Sequence, residues 1–556
     1  MCRTKTRMTK LKKKDGTVTS NRKEMLDICA EFYKDLYSSD PKHSQQASVT
    51  SSDQTEIPSI LKAEVERAIK QMKDNKAPGI DDISSDVYKE GGTEVIEQLT
   101  GLYNQILKEK KLPQSWKEAK IILLYKKGDK ADIKNYRPIS LLSHAYKIFT
   151  RIIQNRIKHI LDTNQPREQA GFREGYSTTD HLQALNQLIE KANEYQLKLC
   201  IGFIDYEKAF DSVEHDNLFA ALRKVGVNEG YVKIIEDIYT NATATIYIDK
   251  DVSKPILINR GVRQGDTLSP KIFTAAIEEV FKNLSERGIS IDGESMTDLK
   301  FADDVGLFTA SVKDMEHQLN EVNTASKKIG LKIHKGKTKY MTNFETNETL
   351  KIEDESIDKV DSYKYLGETV KMEDNTREEI LLKIKAGWRC FGRYRDILCD
   401  NSLPMSLRTR MFNECVLHTI TYGAGTWSTT KDLERKLITT QRAMERQMLR
   451  ISLRYKVKNA DIRQKTKVKD ILEKVKEAKW RWAGHVARMQ DNRWTKRLTE
   501  WQPRTGKRKV GRPKRRWRDD LTSYLGTTWT TEAQDRRSWQ LLEEGYIQHC
   551  GLQQPR

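Results

Sequence analysis

Lys300-Phe301-Ala302-Asp303-Asp304-Val305-Gly306-Leu307-Phe308 is the stretch on which the fold turns. Apolar residues flank two adjacent carboxylates, and the run from Leu299 to Phe308 predicts a β-hairpin with the acids at its bend. Upstream, Ile201-Gly202-Phe203-Ile204-Asp205-Tyr206 reads as an apolar strand ending in a carboxylate, with a polar helix start over Lys208 to Val213. Between them, Gly261-Val262-Arg263-Gln264-Gly265-Asp266 is a two-glycine loop, and Ser269-Pro270 is a capping pair opening a helix to about Phe281. Singly, each segment is ordinary. Asp303-Asp304 suits a turn, Asp205 a helix N-terminus, and Gln264-Gly265 a loop. Together they change the odds. If the two strands are neighbours in one sheet, a strand-end Asp and a hairpin-tip Asp converge, and converging carboxylates are what hard divalent cations bind.

Outward from this centre the chain alternates strands and helices. Residues 1–60 predict a basic start, an amphipathic helix (Met25, Ile28, Phe32, Leu36) and a Ser/Thr/Gln-rich linker around Ser44 to Thr55. Ile121 to Tyr125 is a strand running into a turn at Lys126-Lys127-Gly128-Asp129, and a helix follows over about Ser143 to Leu161. Strands are predicted at Leu197 to Ile204, Ala244 to Ile248 and Ile256 to Ile258, with helices over Asn217 to Lys224 and Tyr231 to Tyr239. From about Arg377 to Lys479 the spacing is helical, as in Ile380, Ile384, Trp388 and Phe391. The pattern is an α/β body followed by a helical half.

The 556 residues carry 99 Lys and Arg against 79 Asp and Glu, a net charge of +20, with 37% hydrophobic residues. Apolar runs are too short to span a bilayer, and Met1-Cys2-Arg3-Thr4-Lys5 has no secretory apolar stretch. The seven cysteines are scattered, without Cys-x-x-Cys pairs, which argues against a disulfide scaffold or zinc ribbon. Residues 1–430 sum to +2 and 431–520 to +19; within the first block 111–160 carries +9 and 201–320 carries −8. An acidic centre between basic flanks suits metal ions surrounded by phosphates, and the basic block points to nucleic acid.

In their order along the chain, the three central segments resemble the polymerase A, B and C motifs of non-LTR (LINE-type) retrotransposon reverse transcriptases. Further motifs follow the same family from about residue 60 to 370: Lys76-Ala77-Pro78-Gly79-Ile80-Asp81, Leu112 to Trp116 with Asn135-Tyr136-Arg137-Pro138, Gln169-Ala170-Gly171-Phe172-Arg173, Gly330 to Thr338, and Tyr363-Lys364-Tyr365-Leu366-Gly367. The resemblance implies an α/β (α+β) right-hand polymerase with fingers, a palm built on an antiparallel sheet, a helical thumb and a basic C-terminal extension. Its expected division is an N-terminal extension and linker (1–60), fingers and palm (61–370), thumb region (371–460) and a basic nucleic-acid-binding region (461–556). It implies RNA-directed DNA polymerisation with two Mg²⁺ ions (Mn²⁺ a possible substitute), an RNA template, a DNA primer or target and dNTPs. A ribonucleoprotein in nucleus and cytoplasm, without a membrane anchor, is the implied setting.

Roles then fall on matching positions. Asp205 and Asp303 would hold both metals, Asp304 would support them, and the Tyr206 carbonyl would add an oxygen. Phe210 matches the steric gate against a ribose 2′-hydroxyl; its rival role is a core aromatic. Arg137 with Lys126 or Lys127 would bind the triphosphate, although the lysines could be plain surface cations. Gln264 and Gly265 would line the nascent base pair, and Lys337 matches the general acid for pyrophosphate, with a merely basic face as its rival. His334 stands where relatives usually carry Asn, which weakens the Lys337 assignment. The stretch Arg504 to Arg518 holds nine cations among 15 residues: Arg504, Lys507, Arg508, Lys509, Arg512, Lys514, Arg515, Arg516 and Arg518. They could neutralise phosphates or serve as a nuclear-import signal. Trp480, Trp482 and Trp494 read as helix core rather than base-stacking platforms, and His485 as structural. Neither a nuclease domain nor a Cys/His knuckle accompanies the polymerase, so a fragment that does not nick its own target is expected. Two rivals remain: a viral-type RNA-dependent RNA polymerase, against which bulky Phe210 argues, and a catalytically silent RNA/DNA-binding protein from a decayed element. The charge map also predicts that deleting the chain after about residue 460 weakens nucleic-acid binding and leaves nucleotide addition possible.

Overall fold

The acidic hairpin forms as expected. In the computed structural model, which describes residues 8–39, 56–508, 510–511 and 513–552, the strand Asp298–Phe301 pairs antiparallel with Asp304–Thr309 across Ala302 and Asp303. Asp304–Thr309 then pairs antiparallel with Cys200–Ile204, which pairs antiparallel with Lys339–Thr342, completing a four-stranded sheet. Every residue of Cys200–Ile204 is buried, as a central strand covered on both faces requires. The linker expected around Ser44 to Thr55 lies outside the described residues.

The chain divides into two units that alternate along the sequence. One comprises 1–174, 205–285 and 318–335; the other comprises 175–204, 286–317 and 336–556.

The first unit is built on a mixed sheet in the order Tyr136–Leu141, Glu118–Tyr125, Thr243–Ile248, Asp251–Val252, with Ile256–Leu257 also on Thr243–Ile248. Only Glu118–Tyr125 and Thr243–Ile248 run parallel. The N-terminal helix Arg22–Tyr37, capped by the Asn21 side chain, packs on this sheet. Its buried face is Met25, Leu26, Cys29, Tyr33 and Tyr37; Ile28, Phe32 and Leu36, expected at its centre, sit at the margin. The two tyrosines rotate the stripe because their rings bury as well as any aliphatic side chain. The helix is therefore part of the core of the first unit. The Ser269–Phe281 helix also forms, but Leu268 is its N-cap and Ser269 its first helical residue, with Pro270 in the first turn.

The second unit carries the acidic sheet, the helical half and the C-terminal region. A helix not anticipated from sequence, Thr178–Glu194, packs against the sheet through Leu182, Leu185, Leu188 and Ile189. Its start carries a capping box between Ser177 and Asp180, a local signal that sequence reading could have used. The helical half follows as expected in Asn375–Arg393, Lys431–Met448 and Ile471–Ala487, around Ile380, Phe391, Phe412, Trp427, Leu437 and Met444.

The C-terminal block is packed into the second unit. Trp494, Leu498 and Trp501, on and just after the short helix Trp494–Glu500, lie in the same core as Ile201, Phe203, Leu299, Phe308 and Met341 of the acidic sheet. Buried Arg493 anchors them, donating to Asp180 Oδ1 at 2.9 Å and to the Gly175 carbonyl at 3.0 Å. Beyond, Trp480, Trp517, Trp529, Trp539 and Tyr546 form a cluster of their own, with Trp480 and Trp539 stacked at 3.7 Å. Trp480 and Trp494 are thus core residues, as read from sequence, and Trp482 is partly buried beside them.

Candidate active site

The acidic sheet brings the candidate residues on its strands to one end through register alone. Ile204 pairs with Val305, so Asp205, the next residue on one strand, and Asp304, the preceding residue on the other, belong to the same end of the sheet. Phe203 pairs with Lys339, so Lys337, two residues earlier, lies toward that end too. Asp303 occupies the turn and is half-buried, whereas Asp304 opens its strand exposed, opposite Phe301. Ala302 takes a left-handed backbone (φ 58°), a costly conformation for a residue with a Cβ. Lys337 is exposed in the turn before Lys339–Thr342.

The segment after Asp205 is clamped by backbone bonds to residues 329–334. The Asp205 carbonyl accepts from His334 N–H at 2.7 Å, Tyr206 bridges Ile333, Glu207 N–H donates to the Lys332 carbonyl, and Glu214 N–H donates to that of Ile329. Tyr206 is buried, its hydroxyl 2.9 Å from Ser326 Oγ. His334, the departure from the family pattern, therefore contributes through its main-chain N–H, which any residue but proline could supply. Fixed backbone is the elementary way to aim a carboxylate.

Carboxylate oxygens are the donors that Mg²⁺ or Mn²⁺ takes, and polymerase sites use one or two carboxylates together with substrate phosphates. Asp205, Asp303 and Asp304 fit that chemistry. Among the described residues no group of three His, Cys, Asp or Glu side chains is gathered closely enough to chelate an ion by itself.

The loop Gly261 to Ser269 is built into the first unit. The Gln264 carbonyl accepts from Ser140 N–H at 2.8 Å, and its Nε2 donates to Asp211 Oδ1 at 2.9 Å. Gly265 has φ 124°, and a Cβ there would stand 2.6 Å from the Ser140 carbonyl oxygen, so glycine is required on both counts. Buried Arg263 donates to the carbonyls of Trp116, Lys117 and Ile238, and Asp266 accepts from Tyr146 and Thr150 hydroxyls. Asp211, not singled out from sequence, is the residue that orients Gln264. Burial pushes its carboxyl up to about 6, against the pull of nearby Lys208. Burial likewise lowers Lys208 to about 8; its ammonium lies 4.2 Å from the Phe32 ring centre, on the N-terminal helix.

Phe210 is half-buried, stacked on Phe273 with ring centres 4.2 Å apart. Lys126 and Lys127 leave the end of Glu118–Tyr125, and Arg137 pairs with Leu124 on the adjoining strand. All three are exposed at the same end of that strand pair.

The basic segment is less open than its composition implies. Arg504 and Lys507 are exposed, and Arg518 is half-buried. Arg508 and Arg516 both reach Glu194, at 2.8 and 2.6 Å, Arg515 pairs with Asp520, and Lys514 is 3.5 Å from Asp374. Lys509 and Arg512 lie outside the described residues. Part of the charge of this segment is thus paired with carboxylates of the same unit. No helix among the described residues is long and apolar enough to cross a membrane.

Residues 125–370 match the reverse transcriptase (RNA-dependent DNA polymerase) family. An uncharacterized transposon-derived protein of Caenorhabditis elegans is 33% identical over 274 residues, covering 45% of this chain and 95% of that protein. The Pol polyprotein of a type-1 retrotransposable element R2 from Nasonia vitripennis is 29% identical over 49% of this chain. The RNA-directed DNA polymerase from mobile element jockey of Drosophila melanogaster is 27% identical over 46%. The chain spans only 28% of the length of each of these last two. With near-complete coverage of the nematode relative, and the acidic hairpin and the Gln264-Gly265 loop inside the matched residues, the chain belongs to the reverse transcriptase (RNA-dependent DNA polymerase) family, in the non-LTR retrotransposon branch that its motifs resemble.

Proposed function

We propose that the chain extends a DNA 3′ end along an RNA template, adding dNTPs at the acidic end of the Cys200–Ile204 and Asp304–Thr309 strands. The observation that carries this reading is the pairing of Ile204 with Val305, from which the common end of Asp205 and Asp304 follows. Asp205 and Asp303 would hold two divalent cations, with Asp304 in support and the Tyr206 carbonyl as a further oxygen. Bound there, such ions lower the pKa of the attacking 3′-hydroxyl and offset charge on the departing pyrophosphate. The protein's own residues orient and select. Arg137, with Lys126 or Lys127, grips the triphosphate oxygens, and guanidinium geometry suits a bidentate hold. Gln264, held by Asp211, and Gly265, open for close approach, line the nascent pair. Phe210 closes the space that a 2′-hydroxyl would need. Lys337, exposed toward the acidic end, donates a proton to pyrophosphate. Template RNA, a primer or target DNA and a ribonucleoprotein in nucleus and cytoplasm complete the reading; the cations of Arg504 to Arg518 without a carboxylate partner would add phosphate contacts.

The test is primer extension with Asp303→Asn, Asp304→Asn and the double variant. Synthesis should be abolished in the double variant, with RNA affinity largely kept. Synthesis retained near the wild-type rate would remove the metal assignment.

A further inference from the structure

Phe172 combines two features that rarely occur together. Its backbone is left-handed (φ 56°), which a bulky side chain disfavours, and its ring is 45% exposed although it is fully apolar. Neither burial nor turn chemistry accounts for it, since glycine would satisfy the backbone and a polar residue the solvent.

The loop that carries it is held rigidly. Gln169 is fully buried; its Nε2 donates to Glu278 Oε1 at 2.9 Å and its Oε1 accepts from Gly171 N–H at 2.8 Å. Gln165 Nε2 donates to Thr274 Oγ1 at 2.7 Å, and Arg173 Nη1 donates to the Pro166 carbonyl at 2.8 Å. Glu278 and Thr274 belong to the Ser269–Phe281 helix, which also carries Phe273. Phe273 is fully buried and stacks on Phe210, with an interplanar angle of 19°. Phe172 meets the same Phe210 ring edge-to-face, with centres 6.1 Å apart and planes at 81°.

We infer that Phe172 is a positioning residue for sugar selection, a second wall that stops Phe210 from tilting away from a ribonucleotide. Phe273 fixes one face of the Phe210 ring, but stacking on one face alone leaves it free to slide in its own plane or to tilt away. A perpendicular ring on a loop fastened to the same helix removes that freedom. The costly backbone of Phe172 then has a use, since in this conformation its ring leaves the loop and meets Phe210. This inference rests on Phe210 acting as the gate.

The test measures dNTP and rNTP incorporation by the full chain carrying Phe210→Ala, Phe172→Ala, Phe172→Leu and the Phe210→Ala/Phe172→Ala pair. Phe210→Ala should relax selection against ribonucleotides, and Phe172→Ala should relax it on the order of tenfold, with the larger share of the change in the rNTP arm. Phe172→Leu, which keeps bulk at the wall, should restore most of the selectivity. The double variant should be no less selective than Phe210→Ala alone, because both act through one ring. If Phe210→Ala leaves selection unchanged, the gate itself is misassigned. If Phe210→Ala relaxes selection while Phe172→Ala slows dNTP and rNTP equally, or raises only the primer–template KM, the wall is refuted and the exposed ring contacts nucleic acid instead.

Discussion

Trp494→Ala examines the most consequential feature of the second unit, a C-terminal helix seated in the core beneath the acidic sheet. Trp494 is 1% exposed, and with Leu498 and Trp501 it packs among Leu182, Leu185, Ile201 and Phe308. A buried aromatic side chain removes about 150–250 Å² from water, so at about 25 cal/mol per Å² truncation to alanine forfeits at least ~4 kcal/mol, within the ~3–5 kcal/mol typical of Trp→Ala in cores. Domains are stable by only about 5–15 kcal/mol. Deleting residues 461–556 removes Leu498 and Trp501 as well, and the combined loss exceeds what the unit can bear. That deletion should therefore unfold the acidic sheet, contrary to the charge-based expectation that it spares nucleotide addition. The assay is thermal unfolding joined to hydrogen exchange at Cys200–Ile204. For a unit this large, ~4 kcal/mol lowers Tm by roughly 8–16 °C. Arg504→Ala and Lys507→Ala, at exposed cations, should stay within about 0.5 kcal/mol of wild type. A Trp494→Ala protein that melts with the wild type, or a 461–556 deletion that leaves the Cys200–Ile204 amides protected, would refute the packing argument.

Two further outcomes follow from local geometry. Gly265→Ala must fit a Cβ against the Ser140 carbonyl at φ 124°, so it should cost more than about 1 kcal/mol and raise the KM for dNTP; an unaltered urea midpoint and KM would count against the close approach. Burial and the adjacent Glu379 push Glu368 up to about 8 from its ordinary 4.5, so the folded state holds a proton that the unfolded chain has lost across that range. Stability should then fall as pH rises from about 4.5 to 8, and Glu368→Gln should flatten that slope in urea melts at several pH values. An identical slope in both proteins would show that Glu368 does not carry the proton.

Much of the candidate site was legible in the amino-acid order because it is local. A strand, a two-residue bend and a strand from Asp298 to Thr309 follow from apolar runs about a turn, and the Ser269–Phe281 helix from its proline and its spacing. Proximity of Asp205 to that hairpin was conditional on two strands being neighbours, which the Ile204–Val305 register decided. The Thr178–Glu194 helix is marked locally by its Ser177–Asp180 capping box and by the spacing of Leu182, Leu185, Leu188 and Ile189, but nothing local shows that Gln183, Gln187 and Lys191 are buried beside those leucines. Two of these polar side chains find partners far along the chain: Gln183 Nε2 donates to Thr499 Oγ1 and Lys191 Nζ to the Trp501 carbonyl. The basic segment shows the same limit. Its nine cations were countable from sequence, but Glu194, which binds Arg508 and Arg516, is more than 300 residues away in the chain. Sequence alone therefore determined which residues could do the chemistry and the strand–turn–helix signals around them, since those depend on near neighbours. Which strands adjoin, which polar groups are buried and which cations are already paired were decided only by tertiary structure, because each depends on a partner that no local pattern specifies.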